Sequence, residues 1–251
     1  MGVPILTYHS IDESGSVIST RPAVFRAQMD FLAGAGFAVA SLRELTESLR
    51  AGRPLPPRAV AMTFDDGYRN FLTEAFPALA RHGFTATVFV VTDHCGGDNA
   101  WPGHEEPPAG RLPLLAWGEI QELQRAGVEF GSHTATHPDL TRAAPSRIAE
   151  EIARSKASLE DRLGVETALF AYPYGRLNAA VRAVVAREFR GACTTRLGKL
   201  SGESDPFLLP RVDMYYLARR GLYERLATRP LDWYLGARQA LREVKERMGH
   251  G

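Results

Sequence analysis

Val60-Ala61-Met62-Thr63-Phe64-Asp65-Asp66-Gly67-Tyr68 is the segment around which the rest of this chain can be understood. Its apolar first half predicts a buried strand, which ends at two adjacent carboxylates and a glycine. Neighbouring side chains at a strand end point in different directions, so Asp65 and Asp66 can address different atoms of one site. Gly67 allows the backbone to turn sharply there. Taken alone, the Asp-Asp pair favours a simpler interpretation, N-capping of the helix that follows.

A second segment, Gly131-Ser132-His133-Thr134-Ala135-Thr136-His137, changes that interpretation. It follows a short predicted strand over residues 128–130 and carries two histidines four residues apart. On a helical turn, side chains at i and i+4 share a face, so both imidazoles can converge on one ion. One carboxylate and two histidines, with the remaining positions left open, form the ligand set of a catalytic metal site. The two segments together therefore predict a metal centre.

Thr63-Phe64-Asp65-Asp66-Gly67 and His133-Thr134-Ala135-Thr136-His137, in this order, resemble the motifs of the polysaccharide deacetylase family (NodB-homology domain, carbohydrate esterase family 4). The resemblance extends from about residue 3 to residue 211. It implies an α/β fold, a distorted (β/α)7-type, TIM-like barrel. It also implies metal-dependent removal of N- or O-acetyl groups from sugars.

By this resemblance, Asp66, His133 and His137 are the metal ligands, and their ligand chemistry agrees. One oxygen and two nitrogen ligands favour Zn²⁺, although Co²⁺, Ni²⁺ or Fe²⁺ also fit such a set. Asp65 is expected to be the general base, because a carboxylate beside a dication stays ionised at neutral pH. Arg211 is our candidate for the ion-pair partner that holds Asp65 in place; the alternative is a surface arginine.

A third segment, Phe170-Ala171-Tyr172-Pro173-Tyr174-Gly175, resembles the family motif that lines the substrate groove. Tyr172, Pro173 and Tyr174 are therefore expected to contact substrate, and the backbone N–H of Tyr174 to supply an oxyanion contact. Ala171 stands where the common form of the motif has an arginine. Without that arginine, another residue must orient the catalytic base. This is the reason for considering the arginine at position 211.

The general acid is the second departure from the family pattern. The usual Leu-x-His near the C-terminus is absent, but Leu6-Thr7-Tyr8-His9 ends the first predicted strand. First and last strands are neighbours in a barrel, and some family members are similarly rearranged. His9 is therefore expected to protonate the leaving amine, with a structural histidine as the alternative. His104 is the next candidate for the acid.

The order of predicted elements divides the chain into a barrel over residues 1–213 and a helical extension over 214–251 that packs on the barrel. Predicted helices include residues 68–82, 145–163, 215–226 and 231–248. The last two are expected to pack on the barrel or, alternatively, to make peripheral membrane contact or self-associate. Residues 95–113 are either a disordered insertion or a loop that roofs the barrel mouth. We favour the roof, in which Trp101 offers a platform for a sugar ring.

Composition limits the number of domains, the classes of partner and the location that we expect for this chain. The 251 residues suit one barrel-sized domain, and a formal net charge of +1 provides no basic field for nucleic acid. The two cysteines have no metal-type spacing and are expected to be free thiols. The first residues show no charged segment followed by a long apolar one, so a cytoplasmic protein is expected unless the native N-terminus is longer, in which case it is secreted or periplasmic.

The sequence thus predicts a metal-dependent hydrolase that removes the N-acetyl group of an N-acetylhexosamine in a glycan or glycoconjugate and releases acetate. The alternatives are an O-acetyl esterase, a small-amide hydrolase with the same site, and a non-catalytic glycan-binding module. The catalytic residues do not distinguish an amide from an ester. A cytoplasmic location would favour a small or lipid-linked sugar precursor as the substrate.

Overall fold

The computed structural model describes residues 2–102, 107, 110–217 and 221–248. The strands are β1 (Ile5–Tyr8), β2 (Ser10–Ile11), β3 (Ser19–Thr20), β4 (Ala38–Val39), β5 (Ala59–Phe64), β6 (Thr87–Val90), β7 (Glu129–Ser132), β8 (Leu169–Ala171), β9 (Gly191–Leu197) and β10 (Leu209–Asp213). The helices are α1 (Pro22–Gly34), α2 (Leu42–Arg50), α3 (Phe76–Arg81), α4 (Trp117–Arg125), α5 (Pro145–Leu163), α6 (Ala179–Glu188), α7 (Met214–Leu217) and α8 (Arg229–Met248).

Seven parallel strands close into a barrel in the order β1-β10-β9-β8-β7-β6-β5, and β1 pairs with β5 to complete the ring. The closing register places Tyr8 beside Phe64, and Leu6 beside Val212 on the other edge of β1. The first and last barrel strands are therefore neighbours. Strand β4 pairs only with the first two residues of β5. The (β/α)7-type barrel that the sequence predicts is confirmed.

Side-chain alternation along β5 determines which residues reach the barrel interior. Ala61 packs with residues of other strands such as Ile5, whereas Met62 packs against Phe25 of helix α1. Because both faces are covered, all six residues of β5 are buried. The same alternation directs Asp65, the next odd-numbered residue, towards the interior at the carboxyl end of the strand.

Several local predictions are confirmed and two are wrong in part. Helix α5 has the predicted bounds, and Ser41 with Glu44 forms the capping box of α2. The helix predicted over residues 68–82 is present from residue 70 to residue 81, but its first part, Phe71–Ala75, is a π-helical turn that continues into α3. The N–H of Phe76 bonds the carbonyl of Phe71, five residues back. Pro77 explains this wider turn, since its ring crowds the preceding turn of an α-helix.

The second wrong prediction is the continuous helix over residues 215–226. The chain forms α7 there and then, after Gly221, a 3₁₀ turn over Tyr223–Arg225. Gly221 has a left-handed φ of 81°, which is incompatible with a continuing α-helix.

Helix α8 lies against the barrel near β9. Leu231 and Leu235 are buried, the Gln239 side chain accepts a hydrogen bond from the Leu197 N–H, and Arg242 donates to the Thr195 carbonyl at 2.8 Å. Its outer face exposes apolar side chains: Trp233, Leu241, Val244 and Met248. In the described part of the chain, no helix has the length and apolar character needed to cross a bilayer. The division of the chain at residue 213 stays a prediction.

Candidate active site and metal centre

The predicted catalytic residues lie at one end of the barrel. His9 follows β1, Asp65 and Asp66 follow β5, His133 follows β7, and Arg211 lies within β10. Because the barrel strands are parallel, their carboxyl ends meet at the same rim. Segments that are far apart in the sequence therefore contribute to one site.

The three predicted metal ligands converge on one point. The Nε2 atoms of His133 and His137 are 3.2 Å apart, and each lies 3.5 Å from Oδ1 of Asp66. A tetrahedral ion with bonds of about 2.0–2.1 Å places its ligand atoms about 3.3–3.4 Å apart. The observed spacing therefore fits a single ion of this kind. Two imidazole nitrogens and one carboxylate oxygen also match the donors that zinc and neighbouring transition metals accept.

The histidine pair does not lie on a helical turn, which corrects the predicted geometry. Residues 133–137 form a loop in which Thr134 and His137 have left-handed φ values of 70° and 60°. The Thr134 hydroxyl accepts a hydrogen bond from the His137 N–H at 2.9 Å and stabilises this turn. The two imidazoles converge because the loop folds back on itself, not because of helical periodicity.

Glu151 on helix α5 holds this loop, and the sequence analysis did not identify it. Its carboxylate is fully buried and accepts hydrogen bonds from the N–H groups of Ala135 and Thr136 at 3.0 and 2.9 Å. It also accepts one from the Thr136 hydroxyl at 2.8 Å. Arg147, one turn earlier on α5, forms an ion pair with the same carboxylate. A buried acid on the inner face of an amphipathic helix was the available signal, because such a group needs partners.

Hydrogen bonds on the far side of each ring orient the two histidines. Nδ1 of His133 lies 2.7 Å from the carbonyl of Ala171 and must donate to it, which leaves Nε2 with a free lone pair. Nδ1 of His137 lies 3.1 Å from the hydroxyl of Tyr174. Burial raises the pKa of Tyr174 to about 12, as do nearby acidic groups, so the phenol remains protonated. Tyr174 thus contacts His137 through its side chain, in addition to the predicted backbone role.

Burial and neighbouring charges favour the metal-binding forms of Asp66 and His137. For His133, burial lowers the pKa, but the hydrogen bond with Asp66 and the charges of both aspartates outweigh burial and raise it. Burial by itself raises the pKa of Asp66, but a hydrogen bond with His133 and the nearby histidine charges outweigh it and hold this pKa well below its usual range. Burial, together with the charge of His133, lowers the pKa of His137 to about 3. Near neutral pH, Asp66 is therefore ionised and His137 is neutral, which are the forms that coordinate metal.

Asp65 and Arg211 form a buried bidentate ion pair. Nη1 and Nη2 of Arg211 lie 2.7 and 2.6 Å from the two carboxylate oxygens of Asp65, and Nε donates to the Thr194 carbonyl. Burial raises the pKa of Asp65, but the charge and hydrogen bonds of Arg211 outweigh that effect and lower it below 3.8. Arg211 is not a surface residue, and it contacts Asp65 as the sequence predicts. The role of Asp65 as a base stays a prediction.

His9 lies on the open side of this pair. Its Nε2 atom is 3.9 Å from Oδ2 of Asp65, and its side chain is 23% exposed. A partly exposed imidazole beside the carboxylate can reach both a substrate and Asp65. The assignment of His9 as the general acid stays a prediction. His104, the other candidate, lies outside the described residues.

The structure separates the predicted substrate-contacting residues. Tyr174 is 37% exposed and borders the open groove, whereas Pro173 is buried beneath it. Tyr172 is 1% exposed, packs on Phe170 and donates a hydrogen bond to the Phe207 carbonyl. The Tyr172 side chain points outward because it alternates with the inward-facing residues of β8. The prediction that Tyr172 contacts the substrate is therefore wrong.

Trp101 is part of the wall of the metal centre. It is 6% exposed, and its ring centroid lies 4.8 Å from that of His137 and 4.9 Å from that of His94. The prediction of an open platform for a sugar ring is therefore corrected, since most of the indole is already covered. The ring instead packs beside a metal ligand and limits its movement.

Backbone strain is concentrated at this site. Of the five non-glycine residues with left-handed φ in the described chain, four belong to the site: Asp66, Thr134, His137 and Tyr174. Such conformations are costly for residues with a Cβ atom and persist where surrounding contacts impose them. Gly175 follows with a φ of 67°, and a Cβ atom there would meet the Thr195 hydroxyl at 2.0 Å. The third motif therefore requires glycine at this position.

Two grooves flank the metal centre. The first, which we call the His9 groove, begins beside His9 and opens into a cavity of about 360 Å³ bordered by Val17, Val24 and Tyr215. The second, the Tyr174 groove, has a volume of about 880 Å³. It is bordered by Tyr174, Asp139, Arg142, Arg176, Asn178 and Arg242. Both volumes are adequate for sugar units on either side of the reacting group.

The chain is similar to a known protein family and to several known sequences. A sequence model of the family described as polysaccharide deacetylase matches residues 52–188, more than half of the chain. YxkH of Bacillus subtilis (strain 168) is 28% identical over 211 residues, a match covering 84% of this chain and 70% of that protein. The poly-β-1,6-N-acetyl-D-glucosamine N-deacetylase of Escherichia coli (strain K12) is 29% identical over 145 residues, covering 53% of this chain and 20% of that enzyme.

Solved structures show the same architecture. The Streptococcus pyogenes deacetylase PplD, solved in complex with acetate, superposes with a TM-score of 0.74 at 27% identity and covers 85% of this chain and 92% of its own. IcaB from Ammonifex degensii superposes with a TM-score of 0.75 at 24% identity, covering 90% of this chain and 95% of its own. At that identity, the likeness to IcaB shows the fold alone.

Proposed function

The chain belongs to the polysaccharide deacetylase family, and from that premise we propose that it hydrolyses the N-acetyl group of an N-acetylhexosamine in a glycan or glycoconjugate and releases acetate. The observation that carries the proposal is the arrangement of Asp66, His133 and His137 around one point, beside the Asp65–Arg211 pair. An N-acetyl substrate is supported by the similarity to the Escherichia coli protein, a poly-β-1,6-N-acetyl-D-glucosamine N-deacetylase. A binding module would not need to retain the ligands and the adjacent carboxylate.

Asp66, His133 and His137 would hold one transition-metal ion, for which we propose Zn²⁺. When bound, such an ion polarises the acetyl carbonyl and makes a water molecule a nucleophile by lowering its pKa to roughly 7. The hydrogen bonds of His133 to Ala171 and of His137 to Tyr174 keep both rings aimed at the ion.

Asp65 accepts the proton of the attacking water. Its lowered pKa keeps it ionised at neutral pH, and the two hydrogen bonds from Arg211 fix the plane of the carboxylate. Arg211 is therefore a positioning residue for the base. It replaces the arginine that the common third motif supplies at the position of Ala171.

Tyr174 and His9 complete the reaction on opposite sides of the acetyl group. We assign the Tyr174 N–H to the oxyanion of the tetrahedral intermediate, because the Tyr174 side chain contacts His137 and therefore places this residue beside the metal centre. His9 then donates a proton to the leaving nitrogen as the carbon–nitrogen bond breaks, and the amine and acetate separate. An amine leaves poorly without this proton, so the general acid matters most for amides.

Acetate release on a substrate panel tests the proposal. The panel contains a β-1,6-linked N-acetylglucosamine trimer, an O-acetylated sugar and a small non-sugar acetamide, each assayed with the purified protein loaded with Zn²⁺. We expect release from the trimer and none after replacement of Asp65 by asparagine. Release from the O-acetylated sugar alone would instead identify an esterase, and release from none would leave a binding function.

A further inference from the structure

The Tyr174 groove adjoins the metal centre through the side chain of Tyr174. The Tyr174 hydroxyl contacts His137, and the outer part of the same side chain borders the groove. Beyond Gly175 and Thr195 the groove meets a second cavity of about 290 Å³, which Arg196 and Arg242 border. A glycan whose acetyl group lies at the metal centre can therefore extend along this surface.

Arginines from four separate segments face this surface. Arg142 follows the histidine loop, Arg176 follows the third motif, Arg196 lies on β9, and Arg242 lies on α8. Among the described residues that border the two cavities, only Asp139 and Glu243 carry a negative charge. The balance is thus four positive charges against two negative ones on a protein whose formal net charge is +1.

Intramolecular contacts leave part of this positive charge available. Arg176 pairs with Asp139 at 2.6 Å, and Arg242 donates to the Thr195 carbonyl and hydroxyl, contacts that fix the position of both guanidinium groups. Arg142 is exposed at the rim. The guanidinium group presents a planar set of donors that matches phosphate and carboxylate oxygens, which neutral sugar hydroxyls do not require.

The His9 groove differs in chemistry. Its described borders include the apolar side chains of Val17, Val24 and Met214, with one arginine, Arg21, and one aspartate, Asp213. Among the residues that the structure describes, an excess of arginine is therefore found on the Tyr174 side of the metal centre and not along the His9 groove. Because the two grooves differ in charge, a substrate with a negative charge at only one end would bind in one orientation.

We propose that the Tyr174 groove is a subsite for an anionic group, a phosphate ester or a carboxylate, carried by the sugar units that flank the N-acetylated one. The substrate is then an acidic glycan or glycoconjugate, bound with its charged part against Arg142, Arg176 and Arg242. This inference rests on the proposed deacetylase function and specifies the substrate of the same site.

Three matched trimers of β-1,6-linked N-acetylglucosamine test the subsite: the neutral trimer, one with a phosphate ester at its reducing end, and one oxidised there to a carboxylate. Acetate release yields kcat and KM for each, and calorimetric titration yields binding without turnover. We expect the KM of a charged trimer to be roughly tenfold lower than that of the neutral trimer. The advantage should shrink at high salt, because the arginines are exposed to solvent. Comparison of phosphate with carboxylate identifies the favoured anion.

Arg142→Gln and Arg176→Gln should each bring the KM of the charged trimer close to that of the neutral trimer measured with the same variant, so that most of the advantage of the charge is lost. Arg142→Lys, which keeps the charge, should retain part of it. Arg125→Gln is the matched control, because Arg125 ends helix α4 before β7 and lies at the opposite end of the barrel. Equal KM values for charged and neutral trimers, or the same loss for both in the arginine variants, would overturn the subsite.

The two proposals fail in different ways. Absence of acetate release from every trimer would refute the deacetylase function. Calorimetric titration of the three trimers would then test the anionic subsite without turnover. Tighter binding of a charged trimer, lost in Arg142→Gln, would support it; equal binding of all three trimers would refute it.

Discussion

Replacement of Glu151 by glutamine tests how the metal-binding loop is held. The buried carboxylate accepts three hydrogen bonds from Ala135 and Thr136, between the two histidine ligands. Glutamine has nearly the same shape, but one of its terminal atoms becomes a donor that faces other donors. With the amide nitrogen in the Oε2 position, the bonds from the two N–H groups are lost; with it in the Oε1 position, it faces Arg147 and the ion pair is lost. Either arrangement removes at least one contact while the packing of α5 is kept.

The size of the effect follows from these contacts. A hydrogen bond to a charged group stabilises by about 1.5–3 kcal/mol, so the loss of one or two should lower the free energy of unfolding by about 2–4 kcal/mol. For a chain of this length, this corresponds to a fall in melting temperature of roughly 5–15 °C. Residues that orient metal ligands typically contribute about 10–100-fold to metal affinity, and we expect a loss of that order here.

Glu150→Gln is the matched control. Glu150 is the preceding residue of α5 and also pairs with Arg147, at 3.0 Å, but its side chain is 52% exposed. Its replacement should change stability by less than about 0.5 kcal/mol and leave metal affinity unchanged. The measurements are thermal denaturation and Zn²⁺ affinity by competition with a chelator. Wild-type Zn²⁺ affinity in Glu151→Gln would refute the reasoning, and a fall in stability alone would reduce Glu151 to a purely structural role.

Four further predictions concern the metal ligand His137 and the catalytic residues. His137→Ala should remove bound metal and activity together, and full metal occupancy measured by elemental analysis would contradict its assignment as a ligand. Asp65→Asn should keep the metal and lose turnover by about 10²–10⁴-fold; loss of metal instead would mean that the two aspartates have exchanged roles. In the wild-type protein, the Asp65–Arg211 pair should stabilise the folded state at pH values above 3.8, the ordinary pKa of an aspartate. This stabilisation should be lost as the pH falls through the lower pKa that Asp65 has in the folded state. Melting temperatures measured at acid pH will test this. His9→Ala should reduce amide cleavage by about 10²–10⁴-fold and affect an activated acetate ester much less, with metal content unchanged; equal losses on both substrates would exclude the general-acid role.

Residue types and their spacing were enough to predict the class of fold and the chemistry of the candidate site. The apolar run before Asp65 predicts a central buried strand, and the alternation of strands with helices predicts βα units. One carboxylate with His133 and His137 predicts a metal site because coordination chemistry depends on the donor atoms of the side chains, whereas the choice of Asp66 over Asp65 as the ligand came from the family resemblance. Arg211 was anticipated as the partner of Asp65 because the third motif lacks its usual arginine.

Only the tertiary structure decided the features that depend on which segments become neighbours. Glu151 contacts the histidine loop because α5 packs beside β7; its place on the inner face of the helix indicates that it needs a partner, but does not identify which segment supplies that partner. Tyr172 points away from the substrate because the direction of a side chain depends on strand register, and a shift of one residue reverses it. The left-handed backbone at Thr134 and His137 replaces the expected helical turn because surrounding hydrogen bonds outweigh the local preference. The arginines of the Tyr174 groove and of the cavity that adjoins it likewise come from four distant segments, and closure of the barrel with the packing of α8 brings them to one surface.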